Sequence, residues 1–240
     1  MRSIMSLVCC PFAGAGAAFF RPWRRHAPPG TEVVPVLLPG RERLIEAAPL
    51  HDVGEAVRTV LAETAERVVG TRVAVFGHSS GGVLAYALAR ALLTETRTEV
   101  VRLFVSGARG PAVPPPHRAT GLPDEEFLAR IEDFAGYRHP ALADPEMREL
   151  ILPTLRADVE MYENYRHDPA DRIPVPITAV RGSEDELISA ADVHGWSSAT
   201  SADFESVELP GGHMYLTERA PELLQLVLGS SAPVDARESR

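Results

Sequence analysis

The fold of this chain is decided by Gly77-His78-Ser79-Ser80-Gly81-Gly82. An apolar run over 72–76 precedes this stretch and predicts a buried strand, and 81–93 has the apolar spacing of a helix. The stretch contains the pattern GxSxG, in which a serine lies on a sharp turn from a strand into a helix. Glycines on either side leave room for the backbone to turn tightly. We therefore expect the Ser79 hydroxyl to project above the edge of a sheet.

Strands and helices alternate on both sides of this motif. The predicted strands cover 5–10, 32–38, 72–76, 100–106, 175–181 and 204–209, and the predicted helices cover 18–26, 51–69, 81–93, 190–197 and 221–228. Alternation of this kind predicts an α/β fold with a mostly parallel sheet and helices on both faces.

The alternation is interrupted between 107 and 173, a stretch too long for a structureless loop in a compact domain. Asp124 predicts the start of a helix that Gly136 would end. The pair Asp144-Pro145 predicts the start of a second helix, which Pro153 should end or kink. The sequence therefore predicts two or three inserted helices between strands.

We expect one domain over 1–240, with a helical lid inserted at about 115–170. The alternative is that the inserted helices only add cover to the core, since apolar stripes alone do not distinguish the two. Residues 229–240 are expected to form a flexible, solvated tail.

All 24 basic residues are arginine, because the chain contains no lysine. Arginine in place of lysine is what a GC-rich genome encodes, but the absence also excludes chemistry that needs a lysine amine, such as a Schiff base or the P-loop lysine. The net charge of −9 argues against nucleic acid as the main partner, since phosphate binding needs a positive field.

The two cysteines, Cys9 and Cys10, are adjacent. Neighbours in a strand point to opposite faces, so we expect no disulfide and a reducing cytoplasm. The apolar stretch 4–20 superficially resembles a signal peptide, but Pro11 and a Gly/Ala-rich loop interrupt it. No apolar run reaches the roughly 18 residues that a membrane span needs, so no membrane association is expected.

The serine needs a base to remove its proton and an acid to hold that base. In the α/β-hydrolase fold, which this context of GxSxG predicts, the chain order is serine, acid, histidine, with the last two on turns after later strands. His213 follows the last predicted strand, and Asp185 follows the strand before it. Close competitors for the acid are Glu184, Glu186 and Asp192.

An oxyanion formed during attack needs two backbone amide donors. One should be the amide of Ser80, and the other should come from the loop after the first strand, where Ala13 is the first choice and Phe12 the second. The remaining histidines, including His78, have no metal-ligand spacing, so we expect neither a metal nor a cofactor.

With these residues in place, the chain resembles the type II thioesterases, the stand-alone editing hydrolases of polyketide and nonribosomal peptide assembly lines. The resemblance covers most of the chain and rests on 8–14, on Leu38-Pro39-Gly40-Arg41-Glu42-Arg43, on 122–124 and 144–166, and on 211–216. Two features depart from the family pattern: Ser80 replaces a frequent methionine, and the first loop has Phe12 and Gly14-Ala15-Gly16 in place of a histidine and a Gly-Gly-Ser run. Both departures bear on substrate preference more than on catalysis.

The resemblance implies a substrate, an acyl group held as a thioester on the phosphopantetheine arm of a carrier protein, with Ser79, His213 and Asp185 as the triad and no cofactor. Arg41 and Arg43, or Arg21, Arg24 and Arg25, are candidates to contact an acidic carrier or the phosphate of the arm. Ordinary surface ion pairing is the alternative for each of these arginines.

Two other functions are compatible with the sequence. One is an α/β-hydrolase that acts as an esterase, or that releases or transfers an acyl product, with the same triad. The other is a carrier-binding protein with little turnover, which a complete triad disfavours.

Overall fold

The computed structural model describes residues 5–115, 117–135 and 140–230. Six strands form one sheet: β1 (Met5–Cys10), β2 (Thr31–Pro35), β3 (Arg72–His78), β4 (Glu99–Ser106), β5 (Ile177–Gly182) and β6 (Phe204–Leu209). Their order across the sheet is β2-β1-β3-β4-β5-β6, and every neighbouring pair is parallel. The predicted parallel α/β architecture is confirmed.

Six α-helices accompany the sheet in the described ranges: α1 (Val53–Arg67), α2 (Ser80–Glu95), α3 (Asp124–Ala135), α4 (Pro145–Asn164), α5 (Ala190–His194) and α6 (Ala220–Ser230). Successive residues of the central strands point into two separate apolar cores. In β3, Val73 and Val75 pack with α1 and α2, whereas Ala74 and Phe76 pack with Trp23 and α6. Both faces of the sheet are therefore covered. No helix in these ranges is long and apolar enough to cross a membrane.

The segment expected to be a helix over 18–26 is instead a 3-10 helix, Ala17–Arg25. Pro22 lies inside it and removes an amide donor that an α-helix would use. The buried aromatic residues Phe20 and Trp23 are three positions apart, which places them on one side of a helix with three residues per turn. Local proline chemistry therefore outweighs the apolar spacing.

Two other predicted ends were wrong. The second strand stops at Pro35 and not at Leu38. The chain then turns towards α4 at Gly40, which has a φ of +83°. There Thr154 Oγ1 donates to the Gly40 carbonyl at 2.7 Å. The last helix includes Gly229, so 229 does not begin a tail. Residues 231–240 lie outside the described residues.

The predicted insertion contains α3, a 3-10 turn (Pro140–Ala143) and α4. Asp144 caps α4, because its side chain accepts hydrogen bonds from the amides of Glu146 and Met147. Pro153 does not end α4, which continues to Asn164. This proline is exposed to solvent, and so is Glu149, the residue four positions earlier whose carbonyl has no proline amide to accept from. The expected stop at Gly136 lies outside the described residues.

Candidate active site

Ser79 lies at a strained turn between β3 and α2. Its φ of +52° is in the left-handed region, which non-glycine residues rarely adopt, and its amide donates to the Ser106 carbonyl at 2.8 Å. A side chain at Gly77 would place its Cβ 2.0 Å from the Gly81 carbonyl oxygen, and one at Gly81 would place its Cβ 2.5 Å from the Pro11 carbonyl oxygen. The two glycines of the motif therefore permit the contacts that hold this turn.

Ser79, His213 and Asp185 are brought together from three different loops. His213 Nε2 is 3.2 Å from Ser79 Oγ, and His213 Nδ1 is 2.8 Å from Asp185 Oδ2. The hydroxyl can donate to Nε2 while Nδ1–H donates to the carboxylate, which is the tautomer a general base needs. This arrangement can activate the serine for attack on a carbonyl carbon.

Asp185 is the acidic residue that reaches His213. Its other carboxylate oxygen accepts from the amides of Leu187 and Ile188 at 3.0 and 3.1 Å. Burial would raise the pKa of this carboxyl, but the hydrogen bonds from His213 and the two amides outweigh burial and lower its pKa below the usual value. Asp185 is therefore held as an acceptor.

The three competing carboxylates do not contact His213. Glu184 and Glu186 are exposed to solvent. Asp192 caps α5 in a capping box with Ser189 and also forms an ion pair with Arg109. None of these three carboxylates is within hydrogen-bond distance of His213.

The first loop brings Ala13 to the same cavity as Ser79 and Ser80. It forms a turn in which the Ala15 amide donates to the Phe12 carbonyl at 2.9 Å, with Gly14 at φ +76°. A positive φ at this third position is typical of a type II turn and favours glycine. Phe12 lines the same cavity, so Ala13 and Ser80 stay the first-choice donors beside the serine and Phe12 stays the second choice for the loop.

The cavity at Ser79 has a volume of about 450 Å³. Its wall is mainly apolar, and the insertion supplies much of it through Leu128 and Ile131 of α3 and Leu155 and Val159 of α4. Besides His213, five ionisable side chains line it: Arg109, His117, Glu132, Tyr162 and Glu163. The cavity can hold an apolar group of moderate size next to the serine. Among the described residues, no three His, Cys, Asp or Glu side chains cluster as metal ligands would.

No sequence pattern singled out His78, yet its ring lies beside His213, with the ring centroids 5.1 Å apart. His78 is fully buried, and its Nδ1 is 2.8 Å from Ser106 Oγ, which is 2.6 Å from the Tyr215 hydroxyl. Gly107, at φ +52°, leaves space for the ring, since a Cβ there would come within 2.7 Å of His78 Cε1. The sequence signal for the close packing of His78 was Gly107, the glycine directly after β4.

Acid should weaken the fold through His78. Burial, and then the neighbouring His213, lower the pKa of His78 below its usual 6.5. Below pH 6.5 the unfolded chain therefore binds a proton at His78 that the folded chain does not bind. The free energy of unfolding then decreases as the pH falls, by up to about 1.4 kcal/mol per pH unit for this residue.

Urea unfolding at pH 7.5, 6.5 and 5.5 tests this prediction by comparing the wild type with His78→Asn, whose amide can still bond to Ser106. The wild type should lose more stability between pH 6.5 and 5.5 than the variant does. Equal losses in the two proteins would contradict the prediction.

Comparison with known proteins identifies the family of this chain. The thioesterase domain family matches residues 5–230. The chain belongs to this family. Thioesterases are hydrolases of thioester bonds, so the prediction of such an enzyme is confirmed.

This thioesterase is 31% identical over 224 residues to the gramicidin S biosynthesis protein GrsT of Aneurinibacillus migulanus, covering 93% of this chain and 87% of that protein. It is 34% identical over 222 residues to the thioesterase PikA5 of Streptomyces venezuelae, covering 92% of this chain and 79% of PikA5.

Among solved structures, the thioesterase superposes on RedJ, from the prodiginine pathway of Streptomyces coelicolor, with a TM-score of 0.85, 29% identity and coverage of 96% of this chain and 86% of RedJ. It superposes on YbtT, a type II thioesterase from the yersiniabactin pathway, with a TM-score of 0.84 and 27% identity. The superposition covers 96% of this chain and 93% of YbtT. The resemblance to type II thioesterases and the predicted α/β-hydrolase fold are confirmed.

Proposed function

We propose that this thioesterase removes acyl groups from the phosphopantetheine arm of carrier proteins in a polyketide or nonribosomal peptide assembly line. The observation that carries the proposal is the hydrogen-bonded series Ser79–His213–Asp185 at the wall of a largely apolar cavity. The relatives GrsT, PikA5 and YbtT are named for assembly-line pathways or as thioesterases, which supports this substrate class. The buried free thiols of Cys9 and Cys10 support a cytoplasmic location.

In the first half of the proposed reaction, His213 Nε2 accepts the proton of Ser79 as Ser79 Oγ bonds to the thioester carbon. The carbonyl oxygen becomes negative and is stabilised by the amides of Ala13 and Ser80, each contributing about 3 kcal/mol to lowering the barrier. The C–S bond then breaks, and the departing sulfur takes the proton from His213 and leaves as a thiol.

In the second half, water attacks the acyl-serine ester and gives its proton to His213. The ester bond to Ser79 Oγ breaks, and His213 returns the proton to the serine as the carboxylic acid leaves. Asp185 keeps the imidazole oriented and stabilises its positive charge. No cofactor enters this sequence of steps, and the apolar insertion helices α3 and α4 act as a lid over the acyl group.

The test offers the wild type an acylated carrier protein and an oxygen ester with the same acyl chain. We expect rapid release of the free acid from the carrier and slow cleavage of the oxygen ester. A preference for the oxygen ester would favour the esterase alternative, and a cyclised or transferred product would favour a product-releasing enzyme. Binding of the carrier without release of acid would contradict the proposal.

The arginines proposed to meet the carrier have different environments. Arg41 is buried and paired with Asp158, so it is not available at the surface. Arg43 is exposed and forms a surface ion pair with Glu63. Arg21, Arg24 and Arg25 are exposed, and none has a side-chain ion pair or hydrogen bond within the described ranges.

We therefore place the carrier contact at these last three arginines. They lie on the same 3-10 helix as Phe19, which lines the cavity. With three residues per turn, Arg25 lies on the same side of this helix as Phe19. An acidic carrier docked here would have its arm close to the cavity wall.

The triple variant Arg21→Glu, Arg24→Glu, Arg25→Glu should lower kcat/KM for an acylated carrier about tenfold or more at low salt, because charge steering raises association rates. A small acyl-cysteamine thioester should be hydrolysed at the wild-type rate. Arg43→Glu is the matched control and should change kcat/KM for the carrier little. An equal loss with both substrates, or a larger loss in the control, would contradict this placement.

A further inference from the structure

A buried ion pair joins the insertion to the loop that carries Ala13. The guanidinium of Arg41 donates to both carboxylate oxygens of Asp158, Nη2 to Oδ1 at 2.7 Å and Nη1 to Oδ2 at 2.8 Å. The two side chains are only 8% and 4% exposed. Asp158 belongs to α4, whereas Arg41 follows the turn at Gly40. A bidentate pair with this burial fixes both side chains in one geometry.

The same pair holds two peptide groups of the first loop. Arg41 Nη1 donates to the Ala15 carbonyl at 2.7 Å, and Asp158 Oδ2 accepts from the Gly14 amide at 2.8 Å. The Gly14 amide is part of the central peptide of the turn from Phe12 to Ala15. This peptide is the one that reverses when a type II turn converts to type I. The pair therefore fixes the turn in the form that has Gly14 at positive φ.

Glu42, the residue after Arg41, contacts the C-terminal end of the same first loop. Its Oε1 accepts from the Ala18 amide at 2.7 Å, and a side chain at Gly16 would collide with it, since a Cβ there would lie 2.2 Å away. Glu42 is itself at φ +48°, which is strained for a glutamate. Two successive residues after Gly40 thus position the loop between β1 and the 3-10 helix.

We propose that Arg41 and Asp158 are positioning residues for the oxyanion site, and that they couple its geometry to helix α4 over the acyl cavity. The inference rests on the proposed function, because it needs Ala13 to donate to the oxyanion. Leu155 and Val159, which flank Asp158 on α4, line the cavity that would receive the acyl chain. A shift of α4 would therefore move the Gly14 peptide next to Ala13.

Charge is the second part of the proposal. The Asp158 carboxylate, which is hydrogen-bonded to the Gly14 amide, would by itself oppose the negative charge that develops on the oxyanion beside Ala13. Arg41 neutralises it and supplies a hydrogen bond to the loop at the same time. Lysine would be a poor substitute, since an ammonium group does not match both carboxylate oxygens in one plane.

The test measures kcat, KM and thermal unfolding for Asp158→Asn and Arg41→Lys on a small acyl thioester. We expect kcat to fall about 10- to 100-fold, with KM changed less than threefold, because a misplaced donor weakens transition-state binding more than substrate binding. Inhibition by an alkyl trifluoromethyl ketone, which forms an anionic tetrahedral adduct with the serine, should weaken by a similar factor.

Two controls separate positioning from stability. Thr154→Val removes the buried hydrogen bond from α4 to Gly40 without touching the first loop, so it should lower the unfolding temperature and leave kcat near the wild-type value. The double variant Arg41→Met, Asp158→Leu leaves no charge buried, so its stability should recover relative to the single variants while its kcat stays low.

The proposal is overturned if the folded Asp158 and Arg41 variants keep the wild-type kcat and inhibitor affinity, or if Thr154→Val loses as much kcat as they do. Failure of the proposed function would look different. In that case the wild type itself would not hydrolyse the acyl thioester, or Ser79→Ala would hydrolyse it as fast as the wild type does.

Discussion

Ser79→Ala is expected to lower kcat for acyl thioesters by about 10⁴- to 10⁶-fold, because it removes the atom that forms the acyl-enzyme. The hydroxyl is 3.2 Å from His213 Nε2 and lies at the end of a strained turn, and a methyl group fits the same place. The fold should therefore be unchanged. The measurement is the single-turnover release of free acid, together with a mass spectrum of the enzyme after reaction with a slowly hydrolysed acyl thioester.

The matched control is Ser80→Ala, because Ser80 contributes only its backbone amide to the proposed mechanism. This variant should keep most of its kcat and should still show one acyl group per chain in the mass spectrum. Ser79→Ala should show none. The double variant Ser79→Ala, His213→Ala should be no slower than Ser79→Ala alone, since the two side chains act as a unit. An acyl adduct on Ser79→Ala would place the nucleophile elsewhere.

Asp185→Asn is expected to lower kcat by about 10³- to 10⁴-fold with little change in structure. The asparagine amide can still occupy the buried site and accept from the amides of Leu187 and Ile188. Towards His213, however, a neutral amide no longer stabilises the imidazolium, and it can present N–H to Nδ1. The imidazole would then hold its proton on Nε2, which is the wrong tautomer for accepting the serine proton.

Glu184→Gln and Glu186→Gln are the controls for Asp185→Asn, because both side chains are exposed neighbours with the same charge. Each should retain kcat within about twofold of the wild type, since solvent screens exposed charges and makes their effects small. The pH dependence of single-turnover hydrolysis gives a second readout. A loss in either glutamate variant as large as that of Asp185→Asn would mean that another acid supports His213.

Much of the fold could be predicted because its signals are local. Strand and helix periods, together with glycine and proline at the turns, gave all six strands and the parallel sheet. A predicted element was wrong where a second local effect outweighed the apolar spacing. Pro22 changes an apparent α-helix into a 3-10 helix. Of the two outcomes expected at Pro153, an end or a kink, the end is excluded, because α4 continues to Asn164.

The candidate site was predictable to a similar degree. The GxSxG turn and the order serine, acid, histidine led to Ser79, Asp185 and His213, and the structure places these three within hydrogen-bond distance of one another in series. Sequence spacing favoured Asp185 but left its acidic neighbours as competitors. That choice depends on which carboxylate turns inward to the amides of Leu187 and Ile188, which is a property of the folded loop.

The role of arginine is where the sequence was least informative. The chain has 24 arginines and no lysine, and sequence alone treated Arg41 and Arg43 as equivalent surface residues. In the structure Arg43 is paired at the surface, whereas Arg41 is buried against Asp158, which is 117 residues away in the chain. No local pattern could predict a pair with this separation.

By itself, the sequence determined the α/β class, the serine turn and the order of the three polar residues, because sterics and hydrophobic periodicity act between near neighbours in the chain. Tertiary structure alone decided which acid reaches His213, where the apolar cavity lies, and which arginine is buried beside the first loop. Those outcomes depend on burial and on contacts between distant segments, so they exist only once the sheet has brought the loops together.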